Sequence, residues 1–297
     1  MTLPASPYGT VAVAVLTNRW SGDVERLLAA LSQQSVASHT YLVCAQTAPP
    51  SALGASVTHV PSAINLGGAG GFAYAVLSAI SSGADWIWMM DDDACPSDEL
   101  CLETLLRQAV ERKLDVVSPV IVAPDDPRRL SFPFQIGGKL EYDLDVVRSV
   151  GFIPNVGQFF NGALIRREVF FKIGLPDMRL FIRGDEVDFM LKLRATKLPF
   201  GTTTAALVSH PPGWGEVVDI VPGRVAVLVP QTDFKRYYFF RNRGYLARRH
   251  RRLKSLLMDL ICYPIALLIK RRDPAAFRLW WKAYSDGLRY KFDATPR

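Results

Sequence analysis

The stretch "ADWIWMMDDDACP", Ala84–Pro96, decides the fold. Trp86–Met90 is an unbroken apolar run, short enough for a strand and apolar enough to be buried on both faces. It stops at Asp91, Asp92 and Asp93. In an extended chain, residues i and i+2 point to the same side, so Asp91 and Asp93 can converge. A buried parallel strand that ends in carboxylates presents them at the carboxyl edge of an open α/β sheet, where such sheets bind ligands. Adjacent carboxylates repel one another, and a cation or a basic neighbour relieves the repulsion. Oxygen ligands suit Mn2+ or Mg2+, ions that bridge diphosphates. The alternative is a solvated acidic loop in which Asp93 or Ser97 caps a helix, read here as starting at Pro96-Ser97 and running to about Arg112.

Outward from this strand the pattern alternates. Towards the N-terminus, Val11–Thr17, Tyr41–Ala45 and Val57–Val60 read as strands, and Asp23–Gln34 and Ala69–Ser82 as helices. Towards the C-terminus, Val116–Val122 is a strand, and Leu130–Val150 reads as a hairpin turning at Gly137-Gly138. Phe159–Ile165 and Thr202–Val208 read as strands, Glu168–Ile173 as a short helix ended by Gly174, and Asp185–Thr196 as a helix. This order predicts an α/β fold with a mainly parallel, Rossmann-like sheet. Beyond about Gln231 three helical stretches follow, at Asp233–Leu246, Leu253–Ile269 and Pro274–Tyr290. The reading divides the chain into 1–220, a catalytic body, and 221–297, a helical segment rich in basic and aromatic residues.

Composition narrows the classes. The 297 residues are 49% hydrophobic, enough for a sizeable core. No apolar stretch is long enough to span a bilayer, and Met1–Thr10 lacks the pattern of a secretory signal. Cys44, Cys95, Cys101 and Cys262 form no CxxC pair, which fits a reducing, cytoplasmic setting. Charge is uneven: Phe234–Arg297 holds 17 Lys+Arg and 4 Asp+Glu, against 18 and 24 in the first 233 residues. A basic tail on an acidic body predicts an anionic partner.

Two further groups are candidates for chemistry. In "RLFIRGDEVDFMLKLR", Arg179–Arg194, the carboxylates Asp185, Glu186 and Asp188 open a helix. They read either as a general base for an acceptor hydroxyl or as helix-start charge paired with Arg183 and Lys192. His210, after an apolar segment and before Pro211-Pro212, can complete a metal site with the aspartates or can simply be packed. "NLGGAGGFA", Asn65–Ala73, contains G-x-G-x-x-A, close to a dinucleotide fingerprint. That fingerprint opens from the first strand. Here the first strand runs into Asn18-Arg19-Trp20, so an oxidoreductase is rejected.

Together "VAVLTNR", "NLGGAGGF", "ADWIWMMDDDACPSDELCLETLL" and "FFNGALIRREVFFKIGLPDMRLFIRGDEVDFMLKLR" resemble glycosyltransferase family 2, whose fold is the inverting GT-A type. Within it, "DDPRRLSFPF", "LPFGT" and "FFRNRGY" are similar to the priming galactofuranosyltransferases of arabinogalactan synthesis. The resemblance implies a divalent metal, Mn2+ or Mg2+, on Asp91, Asp93 and His210. It implies Glu186 as the base, with Asp185 beside it. Thr17, Arg19, Asn65, Gly68, Asp91 and Asp92 would contact a UDP-sugar donor, and the glycines would let the backbone pass close to it. Cys44 stands where the family has an aspartate for the uracil, which leaves Gln46, Arg19 or backbone groups for that task. The implied reaction moves galactofuranose from UDP-galactofuranose to a polyprenyl-diphosphate-GlcNAc-rhamnose acceptor, starting the cell-wall galactan. A rhamnosyltransferase using dTDP-rhamnose and a non-catalytic membrane-associated scaffold remain as alternatives.

The tail suggests where that reaction takes place. "LLMDLICYPIALLI", Leu256–Ile269, is apolar but too short to span a bilayer. With Lys270–Arg272 and Leu279–Trp281 nearby it reads as an interfacial surface on an anionic membrane, with its basic residues facing lipid headgroups or the acceptor's pyrophosphate. The same stripe can instead pack on the core or on a second copy in a homo-oligomer. Nucleic acid is not expected. The expected location is peripheral, at the cytoplasmic face of the plasma membrane.

Overall fold

The computed structural model describes residues 3–46, 48–50 and 52–292. The last five residues of the helical segment, and Thr47 beside Gln46, lie outside them. Along the chain run β1 (Gly9–Thr17), α1 (Gly22–Ser32), β2 (His39–Ala45), β3 (Val57–Ser62), α2 (Gly67–Ser81), β4 (Trp86–Asp91), α3 (Cys101–Glu111) and β5 (Val116–Ala123). Then come α4 (Leu144–Val150), β6 (Asn161–Arg166), α5 (Arg167–Ile173), α6 (Asp185–Thr196) and β7 (Phe200–Ser209). The helices α7 (Asp233–Arg249), α8 (Leu253–Pro264) and α9 (Pro274–Leu288) follow.

The central sheet has the order β7-β5-β6-β4-β1-β2-β3, with Phe152–Pro154 outside β7. β1 runs parallel to β2 and β4, β2 to β3, and β5 to β7. β6 lies antiparallel between β4 and β5. Alternation along β1 builds the two faces. Val11, Val13 and Val15 enter a core with Val24 and Leu27 of α1 and Leu102 and Leu105 of α3. Ala12 and Ala14 enter the opposite core with Phe72 and Val76 of α2 and Phe189 of α6. The small alanines let α2 lie close to the sheet, and Gly71 meets the Leu16 side chain.

Three details differ from the sequence reading. The chain after the aspartates does not turn into a helix at Pro96. Cys95 and Pro96 pair antiparallel with Ser209 and Val208 at the end of β7, and α3 starts at Cys101 with no side-chain cap. The pairing fastens the aspartate loop beside residue 210. The expected hairpin is present and turns at Gly137 and Gly138, both at positive φ. Its second half ends early, because Asp143 accepts hydrogen bonds from the Asp145 and Val146 amides and starts α4. The helix expected over Leu253–Ile269 changes at Pro264, which has no N–H to donate, into a π-helical turn, Ile265–Lys270.

The C-terminal helices share an aromatic core of Tyr238, Phe240, Tyr263, Trp280 and Tyr284, into which Phe181 and Ile182 from the body pack. α7 and α9 cross at Gly244 and Gly287. A Cβ on Gly244 would overlap the Tyr284 carbonyl, and one on Gly287 the Arg241 carbonyl. Among the described residues no helix is long and apolar enough to cross a membrane.

Candidate active site

Strand register brings the first candidates to one edge. Leu16 pairs with Asp91, and Thr17 with Cys44, so Thr17, Cys44 and Asp91 end neighbouring strands. Beyond this edge lies a cavity of about 830 Å3. Gly68, Asp91, Asp93, Asp185, Glu186 and His210 all line it. Ligand atoms of Asp91, Asp93 and His210 fall within 4.8 Å of one another.

Asp92 does not join that trio. Its Oδ2 lies 2.6 Å from Thr17 Oγ1, which also lies 2.6 Å from the Arg19 carbonyl. Asp92 and buried Thr17 thus set the turn after β1. The Arg19 side chain is exposed and does not line the cavity. Asn65 is exposed, and its Oδ1 accepts from the Gly67 amide at 2.8 Å, fixing the start of α2. The closest backbone approach made by the glycines is to protein. Gly67 has φ +65°, and a Cβ there would overlap the Phe181 carbonyl, which also accepts from the Ala69 amide. Gly68 is the glycine of this turn that faces the cavity. Cys44 is buried, and burial pushes its thiol up to about 11.

The trio is chemically suited to a divalent ion. His210 Nδ1 is 2.7 Å from the Pro211 carbonyl, which can only accept, so Nδ1 carries the proton. The neutral ring then turns the Nε2 lone pair towards Asp93 Oδ1, 3.1 Å away. Two acceptors that close repel unless a proton or a cation lies between them. Asp93 Oδ1 is buried and has no hydrogen-bond partner among the described residues. Burial, with the charges of Asp93 and Asp92, pushes Asp91 up to about 7. For Asp93 burial acts upward, but a second proton on His210 Nε2, donated across this contact, outweighs it and holds the carboxyl below its ordinary range. His210 is the reverse: burial acts downward, while Asp93 and Asp91 outweigh it and raise the imidazole. Two carboxylates and one imidazole form a donor set that fits Mn2+ or Mg2+.

The second pair stands at the first turn of α6. Glu186 Oε1 accepts from the Phe159 amide and, at 3.4 Å, from the Phe160 amide. Its other oxygen is left to the cavity. Burial raises the Glu186 carboxyl despite these two donors. Asp185 is buried, and burial together with Glu186 pushes it up to about 7. Asp188 turns away from the cavity to Lys192 at 2.7 Å and His250 Nε2 at 2.8 Å. Arg183, a possible partner for this cluster on sequence, pairs instead with Glu216, through contacts of 2.8 and 3.1 Å.

Sequence reading missed what holds this turn. Phe181, Arg183 and Gly184 all have positive φ, a conformation that costs energy at the two non-glycine positions. Fully buried Asn242 of α7 donates its amide to the carbonyls of Leu180, Ile182 and Arg183 at 2.8, 2.9 and 2.5 Å. Arg241 donates to the carbonyls of Arg179 and Leu180 and to Asn242 Oδ1. The only sequence signal was the "FFRNRGY" resemblance, which carried no role for these residues.

Residues 39–174 match the family Glycosyl transferase family 2. Galactofuranosyltransferase GlfT1 of Mycolicibacterium smegmatis is 41% identical over 241 residues, covering 79% of this chain and 80% of the relative. The crystal structure of S. aureus TarS 1-349 superposes with a TM-score of 0.59 at 12% identity, over 95% of this chain and 82% of that one. The mannosyltransferase PcManGT from Pyrobaculum calidifontis, solved with GDP-Man and Mn2+, gives a TM-score of 0.50 at 14% identity, over 97% and 76%. With a GT-A-like body, a helical C-terminal segment and this degree of identity, the chain belongs to glycosyl transferase family 2 and is a glycosyltransferase.

Proposed function

We propose that the protein is an inverting galactofuranosyltransferase that moves galactofuranose from UDP-galactofuranose to a polyprenyl-diphosphate-GlcNAc-rhamnose acceptor and so starts the cell-wall galactan. The observation that carries this reading is the 41% identity to an enzyme named Galactofuranosyltransferase GlfT1, combined with one cavity that holds Asp91, Asp93, His210 and Glu186. In this reading 1–220 is the catalytic body, and 221–297 makes the membrane, acceptor and oligomer contacts.

Asp91, Asp93 and His210 would hold Mn2+ or Mg2+, which neutralises charge on a leaving diphosphate. Glu186 is the base. The Phe159 and Phe160 amides fix one carboxylate oxygen, and the other takes the acceptor's hydroxyl proton. The acceptor oxygen attacks the anomeric carbon on the face opposite UDP. One C–O bond forms, the bond to UDP breaks, and its electron pair leaves with the diphosphate. A single displacement inverts the anomeric centre and needs no covalent intermediate. Gly68 and the turn set by Thr17, Arg19 and Asp92 border the donor side, with Asn65 fixing the start of α2.

The apolar face of α8 and the following turn is read as a docking surface for an anionic membrane at the cytoplasmic face. Leu253, Leu257, Ile261, Leu268 and Ile269 are exposed on it. Lys254, Lys270 and Arg272 are exposed beside them, the charge complement of acidic headgroups.

The deciding assay offers UDP-galactofuranose and dTDP-rhamnose to the same lipid-linked acceptor. Incorporation of galactofuranose alone is expected, and incorporation of rhamnose overturns the reading. Glu186→Gln keeps an oxygen for the two amides but cannot take a proton. Transfer should fall by about 10²-fold or more with donor binding retained, and near-normal turnover would remove Glu186 from the base role.

A further inference from the structure

The wall of the cavity built by α7 and α8 contains none of the groups discussed so far. It contributes three cations, Lys235, Arg243 and Arg252, and one carboxylate, Asp259. Asp259 is already engaged. Its oxygens accept from Arg243, through Nε at 3.2 Å and a second nitrogen, and from the Tyr284 hydroxyl at 3.2 Å. Arg243 is therefore neutralised within the protein.

Arg252 is not. It is half-buried, and its side chain makes no hydrogen bond or ion pair with any described residue. Burial and the nearby Arg243 charge act against its guanidinium, and the Asp259 carboxylate, committed to Arg243, only partly offsets them. A half-buried guanidinium without a hydrogen-bonded partner costs free energy until an anion arrives. Its planar fork matches phosphate oxygens with two parallel hydrogen bonds. The residue after Arg252 starts α8, whose Leu253, Leu257 and Ile261 are exposed. One wall therefore offers a cationic pocket that runs directly into an apolar strip.

We propose that Arg252, with the Arg243–Asp259 pair beside it, binds the phosphate groups of the acceptor, whose lipid chain leaves along α8. The proposal rests on the lipid-linked acceptor named above and assigns its anionic group to this wall, separate from Asp91, Asp93 and His210. The same phosphate chemistry could come from the headgroup of a bilayer lipid, so the test separates the two sources.

The full-length enzyme and its Arg252→Gln variant are compared on two acceptors with the same glycan. One carries the lipid diphosphate and the other an uncharged alkyl group. Losing one bidentate contact should raise KM for the diphosphate acceptor by roughly tenfold or more. KM for the neutral acceptor and for the donor should stay the same. Equal changes on both acceptors, a change confined to the donor, or no change overturns the proposal. Cosedimentation with acceptor-free anionic vesicles should be the same for both proteins. Weakened vesicle binding with an unchanged acceptor KM assigns Arg252 to bilayer headgroups and overturns it as well. If the unmodified enzyme uses neither acceptor, the acceptor reading itself fails. Titration with inorganic pyrophosphate then decides: binding that Arg252→Gln removes supports the subsite, and any other result overturns it.

Discussion

Asp185 and Glu186 are sequence neighbours with different surroundings. Glu186 has the Phe159 and Phe160 amides on one oxygen, whereas Asp185 has only the amides of its own helix start, and burial beside Glu186 pushes its carboxyl up to about 7. An unfolded aspartate titrates near 4. Between about pH 4 and 7 the native state therefore holds a proton that the unfolded chain has released, and stability falls as pH rises through that window. Asp185→Asn cannot ionise. It should be more stable than the natural protein at pH 8, by roughly 2–4 kcal/mol, with the difference shrinking towards pH 4. Chemical denaturation without metal at several pH values measures this, and a pH-independent difference would contradict it. At the other pair, Asp93→Ala should abolish the strengthening of UDP binding by Mn2+, as read by calorimetry with and without the ion. It removes the buried oxygen that faces His210 across 3.1 Å.

At the scale of elements, α7 is the clamp of the catalytic turn. Asn242→Leu removes the donors to the carbonyls of Leu180, Ile182 and Arg183. It leaves those carbonyls buried without this partner, a cost of about 1–3 kcal/mol. The turn before Asp185 should relax, lowering kcat by more than it weakens Mn2+-dependent UDP binding, because the metal trio rests on the ends of β4 and β7 and only the Gly67–Gly68 turn leans on Phe181. Parallel losses of both would point to general unfolding instead. This division also marks what the sequence reveals. The strands β1 to β5 and the helix α1 were legible because a buried strand and an amphipathic helix each write a local period into the chain, and α6 because carboxylates gather in a helix's first turn. The aspartates and Glu186 were legible because they sit where those periods stop. Asn242 was not, because its partners lie about sixty positions away and nothing local in "FFRNRGY" requires them. The start of α3 was misread at Pro96 because pairing with β7 overrode a good local helix signal. Leu144–Val150 was misread because its cap, Asp143, also ends the hairpin.

The whole molecule puts an apolar, basic strip next to the mouth of a reaction cavity. Binding to anionic vesicles should weaken as salt rises, because exposed charges are screened over about 10 Å at 0.1 M. Leu257→Glu with Ile261→Glu should reduce vesicle binding further and leave transfer to a soluble acceptor unchanged, since neither side chain lines the cavity. If these substitutions instead change the mass in solution without changing vesicle binding, the strip joins copies of the chain.

The crossing of α7 and α9 at Gly244 and Gly287 also has a consequence in time. A chain is synthesised from its N-terminus, and domains fold as they emerge. The strands, the aspartates, His210 and Glu186 are all in place before residue 211 is added. The clamp on the Phe181–Gly184 turn depends on α7, and α7 is seated by a helix that ends at Leu288. The nascent enzyme thus has every reactive side chain long before it has the helix that seats its clamp. Activity is expected only once α9 has been made and has packed on α7.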